Sequence, residues 1–165
     1  RLSDGLDAVS PEEGDDVVIA GMGGGLIARI IARAPWLRSA EKRLILQPMT
    51  SAEDLRAFLS REGFAVLREE VVRGEGRLYS AMLVCFDPAR AAENASDPLF
   101  LHRGLVRPDT PEAREFLLAR AASLRKREGG LRCTGKTEEA DALGKLCGLL
   151  EREAREGANC DDNCP

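Results

Sequence analysis

The sequence lacks both a long uninterrupted apolar run and an N-terminal secretory segment. Its apolar stretches are broken by Gly, Arg or Asp well before the ~20 residues that a transmembrane helix needs. No basic stretch followed by an apolar one opens the chain, so no signal peptide is predicted. With 165 residues, 44% of them apolar, the chain is long enough for one folded domain and an appended segment. These features predict a cytoplasmic protein.

Cysteine and histidine are too few, or too irregularly spaced, for the sites that they commonly build. The five cysteines are odd in number and irregular in spacing, which argues against a disulfide framework. Cys160 and Cys164 lack the second pair and the histidines of a zinc site, so we predict no metal. His102 is the only histidine, and we assign it to a linker or to packing rather than to catalysis.

Acidic side chains outnumber basic ones, 28 to 24, but basic side chains are concentrated in one segment. The formal net charge is −4, which does not favour nucleic acid as a partner of the whole chain. A basic segment attached to an acidic domain can still bind a polyanion locally. Residues 103–136 contain four acidic side chains and these basic ones: Arg103, Arg107, Arg114, Arg120, Arg125, Lys126, Arg127, Arg132 and Lys136.

The first part of the chain is predicted to alternate strands and helices. Consecutive apolar residues over 16–22 are typical of a central strand in a parallel sheet, covered on both faces. Apolar residues at helical spacing follow it, and Pro35 ends that helix. Residues 43–49 are predicted to form a second buried strand that Pro48 stops, followed by a helix from about Ser51.

The next part of the chain is predicted to be a hairpin. Residues 64–72 and 78–86 are strand candidates, and the short link at residues 73–77 contains two glycines. Such a link suits two antiparallel strands. Parallel strands would therefore end in an antiparallel hairpin.

The second half of the chain is predicted to be helical. Residues 87–96 are small and polar and read as a linker. Apolar residues at helical spacing then mark two amphipathic helices, from Ala113 to Leu124 and from Ala140 to Ala154. Gly129-Gly130 and the next few residues would reverse the chain between them, and residues 157–165 would form a frayed polar tail. The predicted domains are residues 1–88 and 97–156, followed by the tail.

The stretch VVIAGMGGGLIARII, residues 17–31, reads as a strand, a glycine turn and a helix, which is how many nucleotide-cofactor sites begin. A dinucleotide fingerprint would start at Gly21-Met-Gly23, but Leu26 occupies the third small position. The following strand ends in Gln47-Pro48 and lacks the acidic residue expected on the ribose. The glycines still allow backbone amides to approach an anionic or polar ligand at the helix N-terminus. A tight turn without a ligand is the alternative.

A second glycine motif, Gly130 to Thr137, matches the pattern of a phosphate-binding loop. Such a loop must follow a buried strand, whereas residues 117–128 form a charged amphipathic helix. No later strand offers a carboxylate for magnesium either. We predict a turn between helices, in which Gly135 ends one element and Thr137 caps the next.

Four segments together resemble one family. They are the stretch at residues 17–31, Leu44-Ile-Leu-Gln-Pro-Met49, Leu55-Arg-x-Phe-Leu59 and the hairpin from Glu69-Glu70 to Arg77-Leu-Tyr79. They resemble the bacterial tRNA (adenine(22)-N(1))-methyltransferases, the TrmK type. The likeness runs from Asp4 to about Val84 and is one of architecture across the C-terminal helices. It implies an α/β fold: the C-terminal part of a class I (Rossmann-like) methyltransferase sheet with a terminal antiparallel hairpin, followed by an antiparallel coiled-coil pair.

The resemblance also implies a cofactor, a substrate and the residues that bind them. The cofactor would be S-adenosylmethionine, and the reaction would be methyl transfer to N1 of an adenine in tRNA. Members of the family carry Gly-Asp-Gly-Leu, from which Ser3-Asp4-Gly5-Leu6 departs at its first position, and Ala-Gly-Met-Gly-Gly, which Ala20–Gly24 matches in full. By resemblance, the cofactor-binding residues would be Asp4, Gly5, Leu6, Gly21, Met22, Gly23 and Gly24.

Catalysis in this family needs little acid–base chemistry, because N1 of adenine already carries a lone pair. The wall between the cofactor methyl group and the target base would be formed by Ala20, Gly21 and Met22. Gln47, Pro48 and Tyr79 would flank the pocket. The basic helices could bind the tRNA backbone, with Arg103, Arg107, Arg125, Lys126 and Arg127 as candidates.

The family's N-terminal strands, including the one whose acidic glycine turn holds the methionine part of the cofactor, have no counterpart in this sequence. Arg1 opens the chain in place of Met. Without the first strand, residues 17–22 would form an apolar open edge of the sheet, which natural proteins avoid because it aggregates. We therefore expect an N-terminally truncated parent sequence. The alternative is a non-catalytic half-domain that binds RNA or a partner protein through its basic helices. A monomer is the favoured state.

Overall fold

The computed structural model describes residues 2–156, which contain four strands, six α-helices and two short 3-10 helices, Pro11–Glu13 and Pro35–Leu37. The predicted tail, with Cys160 and Cys164, lies outside them. No helix among the described residues is long and apolar enough to cross a membrane. The strands are β1 (Asp16–Gly23), β2 (Arg43–Thr50), β3 (Phe64–Gly74) and β4 (Arg77–Phe86). The helices are α1 (Gly24–Ala32), α2 (Ala52–Arg61), α3 (Pro88–Ser96), α4 (Phe100–Arg103), α5 (Pro111–Cys133) and α6 (Thr137–Glu156).

The strands form one sheet in the order β1-β2-β4-β3. β1 and β2 are parallel, and β2 and β4 are antiparallel. β3 and β4 are joined by Glu75 and Gly76, which have φ angles of 49° and 74°. Two residues of positive φ are characteristic of a tight antiparallel hairpin. The predicted mixed sheet with a terminal hairpin is confirmed.

The chain divides into two units. Within the described residues, the sheet unit comprises residues 2–70 and 79–105, and the helical unit comprises residues 71–78 and 106–156. The tip of the hairpin thus groups with α5 and α6. Three cysteines lie within the described residues, and Cys85, Cys133 and Cys147 are free thiols.

The core of the sheet unit lies on one face of the sheet. Leu44 and Leu46 of β2 are fully buried, whereas Ile45 between them is 41% exposed. This alternation of period two marks a strand that is covered on one face. The strand predicted from residues 16–22 was expected to be covered on both faces, and this expectation is wrong for the described residues. Val18 of β1 is 65% exposed, and β1 lies at the edge of the sheet.

A buried ion pair links α2 to β3. The side chains of Arg56 and Glu69 are 0% exposed, with the guanidinium 2.5 Å from the carboxylate. Arg56 also donates a hydrogen bond to the carbonyl of Leu101 at 2.8 Å, and Glu69 accepts one from the N–H of Leu105 at 3.1 Å. The residue before Leu105 is Gly104, where a Cβ atom would lie 1.7 Å from a Glu69 oxygen. The pair therefore holds the segment after α4 against α2 and β3.

Two predictions about the connections are wrong. Residues 87–96 form no linker, because Pro88–Ser96 is helix α3, and the Asp87 side chain caps it by accepting a hydrogen bond from the N–H of Arg90. Alanine is a strong helix former, so a small-residue segment after an Asp-Pro pair suits a helix as well as a loop. β2 also continues through Pro48 to Thr50. Pro48 sits opposite Met22 at a register irregularity, where a strand tolerates the missing N–H.

The predicted antiparallel helical pair is confirmed, but its turn lies later than predicted. Gly129 and Gly130 are part of α5, and the chain reverses at residues 134–136, where Gly135 has a φ of 76°. Thr137 is the first residue of α6 rather than a cap before it. The matched phosphate-loop pattern is therefore helical in its first half.

The helices of the pair bury small and aliphatic side chains and carry ion pairs outside them. Arg125 of α5 pairs with Glu151 of α6 at 3.1 Å. This hydrogen bond to Arg125 lowers the pKa of the Glu151 carboxyl below its usual value. The stabilisation is thus present above the unfolded-state pKa and is lost as the pH falls through the lowered value. The buried positions are Ala113, Leu117, Ala121, Leu124, Ala140, Cys147, Leu150 and Ala154.

Candidate functional site

The turn from β1 into α1 depends on three glycines. Gly21 has a φ of 77°, in the left-handed region that favours glycine. Gly23 precedes α1 and provides no side-chain cap, and the helix starts at Gly24. The first N–H groups of a helix have no partner within it, so an uncapped N-terminus can donate to a ligand.

Gly24 is the position where the turn is packed most tightly. A Cβ atom on Gly24 would lie 2.3 Å from the backbone oxygen of Ser51 and 3.1 Å from Cβ of Leu55. Ser51 itself has a φ of 54°, an uncommon conformation for a residue other than glycine. At Gly25 an added Cβ would meet nothing within 4 Å. Glycine is thus required by space at Gly24 and not at Gly25.

The side chain of Gln47, on the neighbouring strand β2, forms a hydrogen bond with this turn. Gly21 donates its backbone N–H to Oε1 of Gln47 at 2.9 Å. The parallel register places Ala20 opposite Gln47 and Met22 opposite Pro48, with a shift between the two pairs. The irregular register is what turns the Gly21 N–H out of the strand ladder and towards a side chain.

The turn contains no group that could act as an acid or a base. Residues 20–28 have no ionisable side chain, and the described residues contain no cluster of three or more His, Cys, Asp or Glu that could hold a metal ion. What the turn offers is backbone N–H and C=O groups together with one amide side chain. Such a site can orient a ligand by hydrogen bonds, whereas it cannot transfer a proton.

Known proteins resemble this chain in sequence and in fold. Residues 1–82 match the family model of a methyltransferase domain. Over 106 residues, 64% of this chain, the sequence is 33% identical to the tRNA (adenine(22)-N(1))-methyltransferase of Bacillus subtilis (strain 168). The chain is thus similar to methyltransferases, and the relative that it matches is a tRNA (adenine(22)-N(1))-methyltransferase. The match covers 43% of the B. subtilis protein, so this chain spans less than half of that relative's length.

Two solved structures share the fold of this chain. The B. subtilis M1A22 tRNA methyltransferase TrmK superposes with a TM-score of 0.70 at 25% identity, covering 95% of this chain and 68% of that one. A structure of Streptococcus pneumoniae Sp1610 in complex with S-adenosyl-L-methionine superposes with a TM-score of 0.70 at 26% identity, covering 93% of this chain and 67% of that one. The Rossmann-like methyltransferase fold of the sheet, predicted from the resemblance, is confirmed.

Residues 4–6, which the resemblance assigns to cofactor binding, pack against the other end of α1. Gly5 has a φ of 62°, and a Cβ there would lie 3.1 Å from Cγ1 of Ile30. Asp4 pairs with Arg33 at 2.6 Å, and this hydrogen bond raises the pKa of the Arg33 guanidinium. Leu6 packs against the core of the sheet unit. Because a helix rises about 1.5 Å per residue, Ile30 lies roughly 9 Å along α1 from Gly24.

Pro48 and Tyr79 lie at the same end of the sheet as the glycine turn. β1 and β2 are parallel and both end there, and β4 begins there because it runs antiparallel to β2. Pro48 is buried, and Tyr79, the third residue of β4, is half-buried. Strand direction therefore brings the flanking residues to the end of the sheet where Ala20–Gly24 lies.

The five basic candidates differ in their surroundings. Arg103 lies in the sheet unit and pairs with Asp97. Arg125 pairs with Glu151 and with Glu128. These two arginines already have carboxylate partners. Three exposed residues have no ion pair within the described part of the chain: Arg107, Lys126 and Arg127.

Sequence reasoning placed Gln47 beside the pocket but missed its bond to Gly21. The only signal for that contact is the alignment of two parallel strands, which needs the register shift between Ala20 and Met22. It also missed the role of Ser51, whose carbonyl limits the space at Gly24. Neither contact leaves a pattern in the residues themselves.

Proposed function

We propose that the protein transfers a methyl group from S-adenosylmethionine to N1 of an adenine in tRNA. The observation that carries the proposal is the glycine turn at Ala20–Gly24, which matches the family motif and offers hydrogen-bonding backbone but no ionisable side chain. The tRNA (adenine(22)-N(1))-methyltransferases that the chain resembles support the substrate and the position of methylation.

Two segments of the sheet unit would hold the cofactor. Asp4, Gly5 and Leu6 would bind its adenine end, and Gly21 to Gly24 would lie along the part that carries the sulfonium. When bound, the cofactor supplies an electrophilic methyl group. The unpartnered N–H groups at the start of α1 and the absence of a Cβ at Gly24 give a ligand close access to the backbone.

The chain's own contribution to the reaction is orientation. The carbonyls of Ala20 and Gly21 would accept hydrogen bonds from the adenine amino group and so turn N1 towards the methyl group. Orientation of this kind can supply ~7–11 kcal/mol of the barrier. No side chain needs to remove a proton before attack, because the N1 lone pair is free and the product simply becomes cationic. The base must first be exposed from the folded RNA, which costs a few kcal/mol.

The cofactor assignment is tested by calorimetry on the full-length protein. S-adenosylmethionine should bind saturably at a single site. NAD should give no heat of binding, because the turn lacks the third glycine of a dinucleotide site and the acidic side chain that binds the ribose there. Binding of NAD with no binding of S-adenosylmethionine would contradict the proposal.

We propose that tRNA contacts the helical unit through Arg107, Lys126 and Arg127. Their charges are exposed and free of carboxylate partners within residues 2–156, so contact with a phosphate would break no existing ion pair. A tRNA substrate is found in the cytoplasm, and we propose this compartment for the protein.

Replacing both Lys126 and Arg127 with alanine should weaken tRNA binding and make it less sensitive to salt. Loss of two phosphate contacts lowers the slope of log K against log salt concentration by about 1.4–1.8. The matched control is Arg132→Ala, because Arg132 already pairs with Glu128 and Asp141 at 3.0 and 2.8 Å. Filter binding over a range of salt concentrations measures both. Equal slopes for the double variant and the wild type would show that Lys126 and Arg127 do not contact the tRNA.

A further inference from the structure

The donor and acceptor atoms of the Gln47 amide are oriented by the turn itself. A backbone N–H can only donate, so the atom that faces the N–H of Gly21 at 2.9 Å must be the carbonyl oxygen Oε1. The NH2 group is therefore turned the other way. Its nearest partners are the carbonyl of Pro48 at 3.4 Å and the sulfur of Met49 at 3.5 Å. The contact with the Pro48 carbonyl is long for an N–H···O hydrogen bond, and a thioether sulfur is a weak acceptor.

The Gln47 amide can therefore accept one more hydrogen bond and can also donate hydrogen bonds to a ligand. Oε1 has two lone pairs, and the bond from Gly21 uses one of them. The NH2 group has two protons and only weak partners. Gly21 is exposed and Gln47 is half-buried. One acceptor and one donor are thus held side by side by a rigid contact, within reach of a ligand at the glycine turn.

Methylation at N1 restricts how an enzyme can recognise adenine. The N1 lone pair attacks the methyl group, so no hydrogen bond can be made to it in the transition state. The amino group at C6, a donor, and N7, an acceptor, remain available. A glutamine amide matches this pair, with its oxygen accepting from N6 and its nitrogen donating to N7.

We propose that Gln47 is the specificity-determining residue that reads the N6–N7 edge of the target adenine. The inference rests on the proposed function. One proton of the adenine amino group points to the N1 side and the other to the N7 side. The Ala20 and Gly21 carbonyls can accept a hydrogen bond from the first proton, while Oε1 of Gln47 accepts one from the second. Guanine presents an oxygen at C6 in place of the amino group, and two acceptors would then face each other.

The test compares two substrates and two proteins. One tRNA carries adenine at the target position and the other carries 7-deazaadenine, which keeps the amino group and lacks the N7 acceptor. The full-length wild type should methylate the 7-deaza substrate with a kcat/KM lower by about ten-fold or more. Gln47→Glu keeps an oxygen for the Gly21 N–H but loses the donor. It should lose a similar factor on adenine and show no further loss on 7-deazaadenine.

The Kd of S-adenosylmethionine separates a damaged turn from a lost base contact. We expect it to be unchanged in Gln47→Glu, because the anchor to Gly21 is kept. Equal kcat/KM of the wild type on both substrates, or a 7-deaza penalty that persists in the variant, would overturn the assignment of Gln47. Failure of the wild type to methylate either tRNA would instead overturn the proposed function on which the inference rests.

Discussion

Glu69→Ala is expected to lower the free energy of unfolding by about 3–5 kcal/mol, the largest single effect that the structure predicts outside the site. The variant leaves the guanidinium of Arg56 fully buried without its counter-charge and removes the acceptor for the N–H of Leu105. Urea denaturation followed by circular dichroism measures the change.

Two further variants show whether the effect belongs to the buried pair. Arg68 and Glu70 form an ion pair on the same strand with side chains 72% and 57% exposed, so Glu70→Ala should cost less than about 1 kcal/mol. The double variant Arg56→Met/Glu69→Leu should recover much of the lost stability, since no isolated charge remains buried. Similar losses in Glu69→Ala and Glu70→Ala would mean that the pair carries no special stability.

Gly24→Ala is expected to reduce the affinity for S-adenosylmethionine by ten-fold or more and to lower the free energy of unfolding by about 1–3 kcal/mol. The added methyl group would lie 2.3 Å from the Ser51 carbonyl oxygen, so either the start of α1 or the Ser51 turn must move. Either movement displaces the N–H groups proposed to face the cofactor. Calorimetric titration and urea denaturation of the full-length protein provide the two readouts.

Gly25→Ala is the matched control for the stability effect, because it adds the same methyl group to the next residue. At Gly25 the new Cβ meets nothing within 4 Å, and alanine is favoured over glycine in a helix by up to ~1 kcal/mol. The control should be as stable as the wild type or slightly more so. If both alanine variants lost stability equally, close packing at Gly24 would not be the cause.

Local patterns predicted the elements that build the site. The apolar run of β1, the glycines after it and the helical spacing of α1 are neighbours in the chain, so each follows from its own residues. The mixed sheet also follows, because the link at residues 73–77 can only join antiparallel strands. The prediction of coverage on both faces of β1 failed for the described residues, since composition cannot say what lies above a strand.

Contacts between distant residues could not be predicted from patterns. The bond from Gly21 to Gln47 depends on a register shift, and the Arg56–Glu69 pair joins residues that no spacing rule connects. Gly129 and Gly130 were predicted to break a helix, yet α5 runs through them to Cys133. Each glycine costs about 1 kcal/mol in a helix, and packing of the flanking turns against α6 can offset that cost.

The measurement that tests the central claim most directly is the identity of the methylated nucleoside. Full-length protein, S-adenosylmethionine and an unmodified tRNA transcript are incubated, and the RNA is digested and separated by chromatography with mass detection. The account predicts 1-methyladenosine, because the turn orients the base without removing a proton from it. N6-methyladenosine, a methylated base other than adenine, or no methylated nucleoside would contradict it.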